Sequence, residues 1–182
     1  RSTARNAGLL DIKMVPEKRN AVKVLIFFDI GGSMDPYVRT CEELFSATKT
    51  EFKHLEYFYF HNCLYDYVWK DNRRRSEQQI QTYEVLNKYS ADYKVIFVGD
   101  ASMAPYEISS PGGSVEYHNQ ESGDVWMRRV SNTYEKLVWM NPVEEKYWHY
   151  TPSILMLRDL VDDRMFPLTL NGLEKGMSVL SR

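Results

Sequence analysis

"VLIFFDIGGSMDPYV", residues 24–38, sets the terms on which the rest of the chain is read. An apolar run from Val22 to Phe28, broken only by Lys23, stops abruptly at Asp29. A strand covered on both faces has this form, near-continuous rather than alternating. Ile30, two glycines, Ser33 and Met34 follow, and then Asp35-Pro36, an acid in cap position with proline at the first helical position. Beyond them Val38, Cys41, Phe45, Thr48 and Phe52 recur at spacings of three and four, which predicts an amphipathic helix. A buried strand that ends in a carboxylate and a small-residue loop has two explanations. It is a turn that contains an acid, or it is a site at the tip of a sheet that holds a metal or a covalent intermediate.

The pattern recurs in "YKVIFVGDAS", residues 93–102, where the apolar run ends in Asp100. Between the two, "HLEYFYFHNCLYDYVWKD" (residues 54–71) reads as two aromatic strands joined at His61-Asn62, a hairpin. Ser76-Glu77 opens a helical stretch with Ile80, Tyr83, Leu86 and Tyr89 facing inward. Residues 103–123, with "SSPGGS" at 109–114, are rich in turn formers and read as a long loop. A helix around Val125–Tyr134, a strand "KLVWMN" and two further helices complete the chain, the last with Leu170, Leu173, Met177 and Leu180 on one face. Residues 1–20 are polar apart from the alternating Leu10–Val15, so they read as an extension or an edge strand, and residues 21–182 as the domain.

Strands alternating with helices define an α/β layer fold, Rossmann-like, with a central, mostly parallel sheet, one antiparallel edge hairpin and helices on both faces. Right-handed crossovers bring the C-terminal strand ends to one edge, where ligands bind in open sheets of this kind. Asp29 and Asp100 both fall at that edge.

Composition narrows the function. The 182 residues are 43% hydrophobic and 26% charged, ordinary for a single globular domain. A net charge of -2 argues against a general nucleic-acid binder. Arg73-Arg74-Arg75 is too short to change that, and reads as a solvated loop or, second, as a docking patch for an acidic partner. Two cysteines, Cys41 on an apolar helix face and Cys63, are too few for a disulfide scaffold, and four scattered histidines carry no zinc signature. No stretch approaches the roughly 20 apolar residues of a membrane span, and none at the start reads as a signal peptide. The expectation is a cytoplasmic protein without a membrane segment. With Arg1 and not methionine at its start, a fragment of a longer protein is a further expectation.

Two simple roles compete for the acids. As caps, Asp29 takes loop amides and Asp100 those of Ala101 and Ser102. As metal ligands, Asp29, the Ser33 hydroxyl and Asp100 supply hard oxygens of mixed charge, with water completing the shell of an ion such as Mg²⁺. Gly31 and Gly32 give the close backbone approach that such a site needs.

"DIGGS" resembles the Asp-x-Ser-x-Ser signature of the metal-ion-dependent adhesion site in von Willebrand factor A (VWA) domains. The likeness continues through the aromatic hairpin, "VIFVGD" and "LVWMNP", which is similar to the late strand of the CoxE-like branch, and it covers roughly residues 20–180. The family's first serine is Gly31 here. Its later threonine has no plain counterpart, so Ser76 at a helix start is the candidate and Thr82, inside the helix, the poorer one. The resemblance implies a protein-binding, non-enzymatic domain whose Mg²⁺ (or Mn²⁺ or Ca²⁺) accepts a carboxylate from a partner protein. It also implies a MoxR-type AAA+ ATPase partner in the maturation or assembly of another protein. A VWA-like scaffold with a degenerate, metal-free site stays open. So does a haloacid-dehalogenase-like phosphatase with Asp29 as nucleophile, although Gly31 stands where the general acid belongs and Ala104 where a later acid belongs.

Overall fold

The computed structural model describes residues 22–41, 43, 52, 54–73 and 76–181. The alternating stretch Leu10–Val15, the helix positions Phe45 and Thr48, and Arg74-Arg75 lie outside the described residues. Five parallel strands form one sheet: β1 (Lys23–Asp29), β2 (His54–Phe60), β5 (Lys94–Val98), β6 (Leu137–Asn141) and β7 (Met165–Pro167), in the order β2-β1-β5-β6-β7. Two short strands, β3 (Tyr67–Val68) and β4 (Ile80–Gln81), form a small antiparallel pair. Helical residues at 38–41 and 43 follow the turn after β1, and the later helices are α1 (Thr82–Lys88), α2 (Pro105–Ser109), α3 (Gly123–Thr133), α4 (Pro152–Leu160) and α5 (Leu170–Ser181). The architecture is the Rossmann-like α/β fold that the order of elements predicts.

Each sheet strand sends alternate side chains to opposite faces, and both faces are covered. Leu25, Phe27, Phe58, Phe60, Val95, Phe97, Leu137 and Trp139 pack in one core with Val85, Trp126, Met127, Val130, Ile154 and Leu157 from the helices. Val24, Ile26, Phe28, Ile96, Val98, Val138 and Met140 pack in the other with Met34, Cys41 and Leu180. This two-sided burial is why the strands read as unbroken apolar runs. Within the first core, Phe58, Phe27, Phe97 and Trp139 stand in register on four adjacent strands. Their rings stack one on the next, with centroids 5.7, 5.0 and 5.1 Å apart and interplanar angles of 25, 17 and 10°. This row runs directly beneath the C-terminal edge, two residues before Asp29 on β1 and Gly99 after β5.

Four expectations need correction. The turn at His61-Asn62 exists, with Asn62 in left-handed backbone (φ 58°) and a bridge from His61 to Cys63. The returning chain, however, meets β2 at the Tyr59–Trp69 bridge, and β3 pairs with β4. The helix expected from Ser76 begins at Thr82: Ser76–Gln78 is a 3-10 turn, Ile80 and Gln81 are drawn into pairing with Val68 and Tyr67, and Tyr83 is exposed. The loop 103–123 contains α2, started by Pro105 and closed by Glu107 Oε1, which accepts the Ala104 N–H at 3.0 Å. The last helix buries Gly172, Gly176 and Leu180, while Leu170 is 83% exposed, and β7 before it has no counterpart in the sequence reading.

Trp139 ties the aromatic row to the edge above it, since its indole Nε1–H donates to the Gly99 carbonyl at 2.8 Å. Trp139→Phe removes ring volume from a fully buried position and leaves that carbonyl without its donor. The expected cost is about 2–4 kcal/mol, seen in urea titration as a lower midpoint with an unchanged slope.

Candidate functional site

Asp29 ends β1 and Asp100 lies just beyond β5. The two strands are parallel neighbours paired through Phe28 and Val98, so both acids stand at the same end of the sheet. Both residues are buried, 3% and 2% exposed. Each closes its strand with the same local bond from two residues on: Gly31 N–H to Asp29 Oδ1 at 2.9 Å, and Ser102 N–H to Asp100 Oδ1 at 3.0 Å. These are side-chain-to-backbone turns of the kind aspartate favours. The capping role is therefore real, with Ser102 and not Ala101 as the donor to Asp100. It does not exhaust a carboxylate, which has about four lone-pair positions.

Asp29 reaches further. Its Oδ1 also accepts the backbone N–H of Asn62 at 2.9 Å, which joins the end of β1 to the turn after β2. On its other side lies Gly99, where a Cβ would stand 2.8 Å from Asp29 Cβ and 3.2 Å from both Asp29 Oδ2 and Trp139 Cζ2. Glycine at 99 is what lets the carboxyl group lie over the neighbouring strand.

The chain after Gly99 is pinned from two elements, β6 and α4. Asn141 Nδ2 donates to the Asp100 carbonyl at 3.0 Å. Ser153 Oγ donates to the Ala101 carbonyl at 2.7 Å and accepts the Met103 N–H at 3.1 Å. Between them Ala101, fully buried, is held at φ 57°, a left-handed conformation that costs a residue with a Cβ about 1–2 kcal/mol. Strain of this kind persists where surrounding contacts over-determine it, and such places cluster at functional sites.

Burial raises the pKa of Asp100 above the usual aspartate value. What opposes burial is neutral: the Ser102 amide, the Ser33 hydroxyl and its own backbone. No Lys, Arg or His among the described residues contributes. Ser33, on the 3-10 turn Gly32–Tyr37, is the hydroxyl that reaches Asp100. Ser76 is not brought to it: its Oγ lies 3.5 Å from the Glu77 carboxylate in an exposed turn. Thr82, the poorer alternative, is fully buried and donates to the Tyr65 carbonyl at 2.5 Å.

Two further residues belong to this edge and were missed in the sequence. Asn62 donates from Nδ2 to Glu107 Oε2 at 2.8 Å, and Glu107 is itself buried. Burial pushes the Cys63 thiol up, and the charges of Asp29, Asp124 and Glu107 add to the effect. The signal for Glu107 was present in Ala104-Pro105-x-Glu107, a helix start with the acid at the third position.

Among the described residues no group of three or more His, Cys, Asp or Glu side chains is placed to hold a metal ion. The donors at this edge are instead two carboxylates and a hydroxyl, with amide oxygen close by. That set suits a hard cation that keeps several waters, and does not suit zinc. Comparison of the chain with protein-family models, with curated proteins and with solved structures returned no match.

The raised pKa has a definite sign in stability. Between the usual aspartate value and the raised one, the folded protein holds more protons than the unfolded chain, so stability falls as pH rises through that window. In EDTA, Asp100→Asn is expected to be more stable than the parent at pH 7, with the difference shrinking toward pH 4. Urea unfolding at four or five pH values measures it, and a difference that grows on acidification contradicts the assignment.

Proposed function

We propose that this is a VWA-like domain of the CoxE-like kind that binds a partner protein through a divalent ion, Mg²⁺ first and Mn²⁺ or Ca²⁺ as alternatives. Asp29, Ser33 and Asp100 hold the ion, and a carboxylate of the partner fills an open position on it. The observation that carries this reading is the pair of buried acids at the ends of adjacent parallel strands, one of them raised by burial with no cation beside it among the described residues. Without a cation, two carboxylates repel an incoming acid. With one, the same edge attracts it.

Gly31 and Gly32 keep the loop close, and no oxygen is asked of Ser76. A MoxR-type AAA+ ATPase working on the maturation or assembly of another protein is the proposed setting, in the cytoplasm. Two observations agree with that location. Neither Cys41 nor Cys63 is held in a disulfide, and among the described residues no helix is long and apolar enough to cross a membrane.

An ion that binds only the folded protein raises its stability by RT ln(1 + [L]/Kd), about 1.4 kcal/mol at ten times Kd. With few protein ligands, a Kd of millimolar order is expected. Thermal unfolding in 10 mM Mg²⁺ against EDTA should therefore show an upward shift that Asp29→Asn and Asp100→Asn lose. No shift in the parent protein would make the metal-free scaffold the better account.

Catalysis by Asp29 is the reading to exclude. Position 31 carries no acid, so an aryl phosphate with Mg²⁺ should not be turned over above background. Turnover that vanishes in Asp29→Asn would replace the binding domain with a phosphatase. Recovery of the partner in pull-downs should likewise fall with EDTA and with Asp29→Ala.

A further inference from the structure

We propose that the carboxamide oxygen of Asn62 supplies the ligand that Gly31 lacks, and that Glu107 is the residue that positions it. The proposal rests on the metal reading of the Asp29–Asp100 edge. A Cβ built on Gly31 would overlap Asn62 Oδ1, with Asp29 Oδ1 at 3.3 Å and Asn62 Cγ at 3.5 Å the next nearest atoms. The carboxamide oxygen therefore occupies the volume that a side chain at position 31 would take, beside the carboxylate of Asp29. A serine at 31 would require the Asn62 carboxamide to move off its bond to Glu107.

The orientation of the carboxamide is fixed. Glu107 is an acceptor, and it takes a hydrogen from Asn62 Nδ2 through Oε2 at 2.8 Å, so Oδ1 is the end turned toward Gly31. Glu107 is held in turn by the Ala104 N–H on its Oε1 at 3.0 Å. The backbone of Asn62 is anchored independently through its N–H to Asp29 Oδ1 at 2.9 Å, in the left-handed conformation that asparagine tolerates well. One residue thus contributes a bond to the acid and an oxygen next to it.

A carboxamide oxygen is hard and neutral, so it replaces a serine hydroxyl without changing the charge of the donor set. It favours Mg²⁺, Mn²⁺ or Ca²⁺ over softer ions. Glu107 acts through Asn62: its loss frees the carboxamide to rotate and present nitrogen instead.

The test uses Mn²⁺ as probe, with binding followed by loss of the free-ion EPR signal and Mg²⁺ as competitor. Asn62→Gly suits the backbone at φ 58° and keeps the N–H to Asp29. It should weaken Mn²⁺ binding about tenfold while the circular dichroism spectrum is retained. Gly31→Ser alone should be destabilised by the overlap. Gly31→Ser combined with Asn62→Gly should recover most of the lost affinity, a rescue that a purely structural Asn62 would not give. Glu107→Gln should weaken binding less than Asn62→Gly does. If the parent binds Mn²⁺ and Asn62→Gly binds it equally well, the role of Asn62 is overturned and the metal site stands. If the parent binds no Mn²⁺, both fall.

Discussion

Oδ1 of Asp29 accepts two backbone N–H groups, from Gly31 and from Asn62, and the upper edge of the sheet is organised around that pair of bonds. One bond turns the chain sharply after β1. The other fixes the turn after β2 to the same atom, so two loops from different strands share one anchor. The carboxyl group rests above stacked aromatic rings, in surroundings of low polarity where hydrogen bonds to charge are strong and unpaired charge is costly. Remove that carboxylate and the loops that carry Ser33 and Asn62 lose their common reference.

On the neighbouring strand the same end is reached differently. Asp100 is placed through its main chain, by the Trp139 indole on Gly99, Asn141 on its own carbonyl and Ser153 on Ala101. These bonds hold Ala101 in a conformation it would not choose. Asn62 has the same left-handed backbone, at smaller cost because of its side chain. Both special residues sit at strand ends beside an acid, whereas Asp162 and Asp163, also at positive φ, lie in an exposed turn elsewhere. Backbone strain beside the acids and a buried carboxylate with no cation among the described residues are two separate signs of a site whose arrangement is not dictated by stability alone.

The strands of this fold were legible because burial on both faces writes itself into sequence as apolar runs, and "VLIFFD" and "VIFVGD" announced their own terminal acids. The start of α1 was not legible, because Ile80 and Gln81 extend only through pairing with Val68 and Tyr67. The three-residue β7 was too short to carry a period. The part played by Asn62 depends on Glu107 and Gly31, and no local pattern links a turn asparagine to a helix acid 45 residues away. Of the apolar stripe expected on α5, Leu173 and Leu180 pack and Leu170 is exposed, while the packed face also holds Gly172 and Gly176, whose small size admits the sheet closely.

The place of β1 in the sheet, between β2 and β5, bears on how the protein acquires its native state. Its partners β2 and β5 are both reached through intervening chain, and the bonds from Asn62 to Asp29 and to Glu107 close loops of 33 and 45 residues. Contacts of such separation repay their loop-closure entropy only after the strands have docked, which makes parallel sheets slow to form. The upper edge therefore coalesces late, once the aromatic row beneath it is in place. Anything that binds there recognises the finished sheet, and to the extent that its contacts are absent from the folding transition state it lengthens the lifetime of the native protein without hastening its formation.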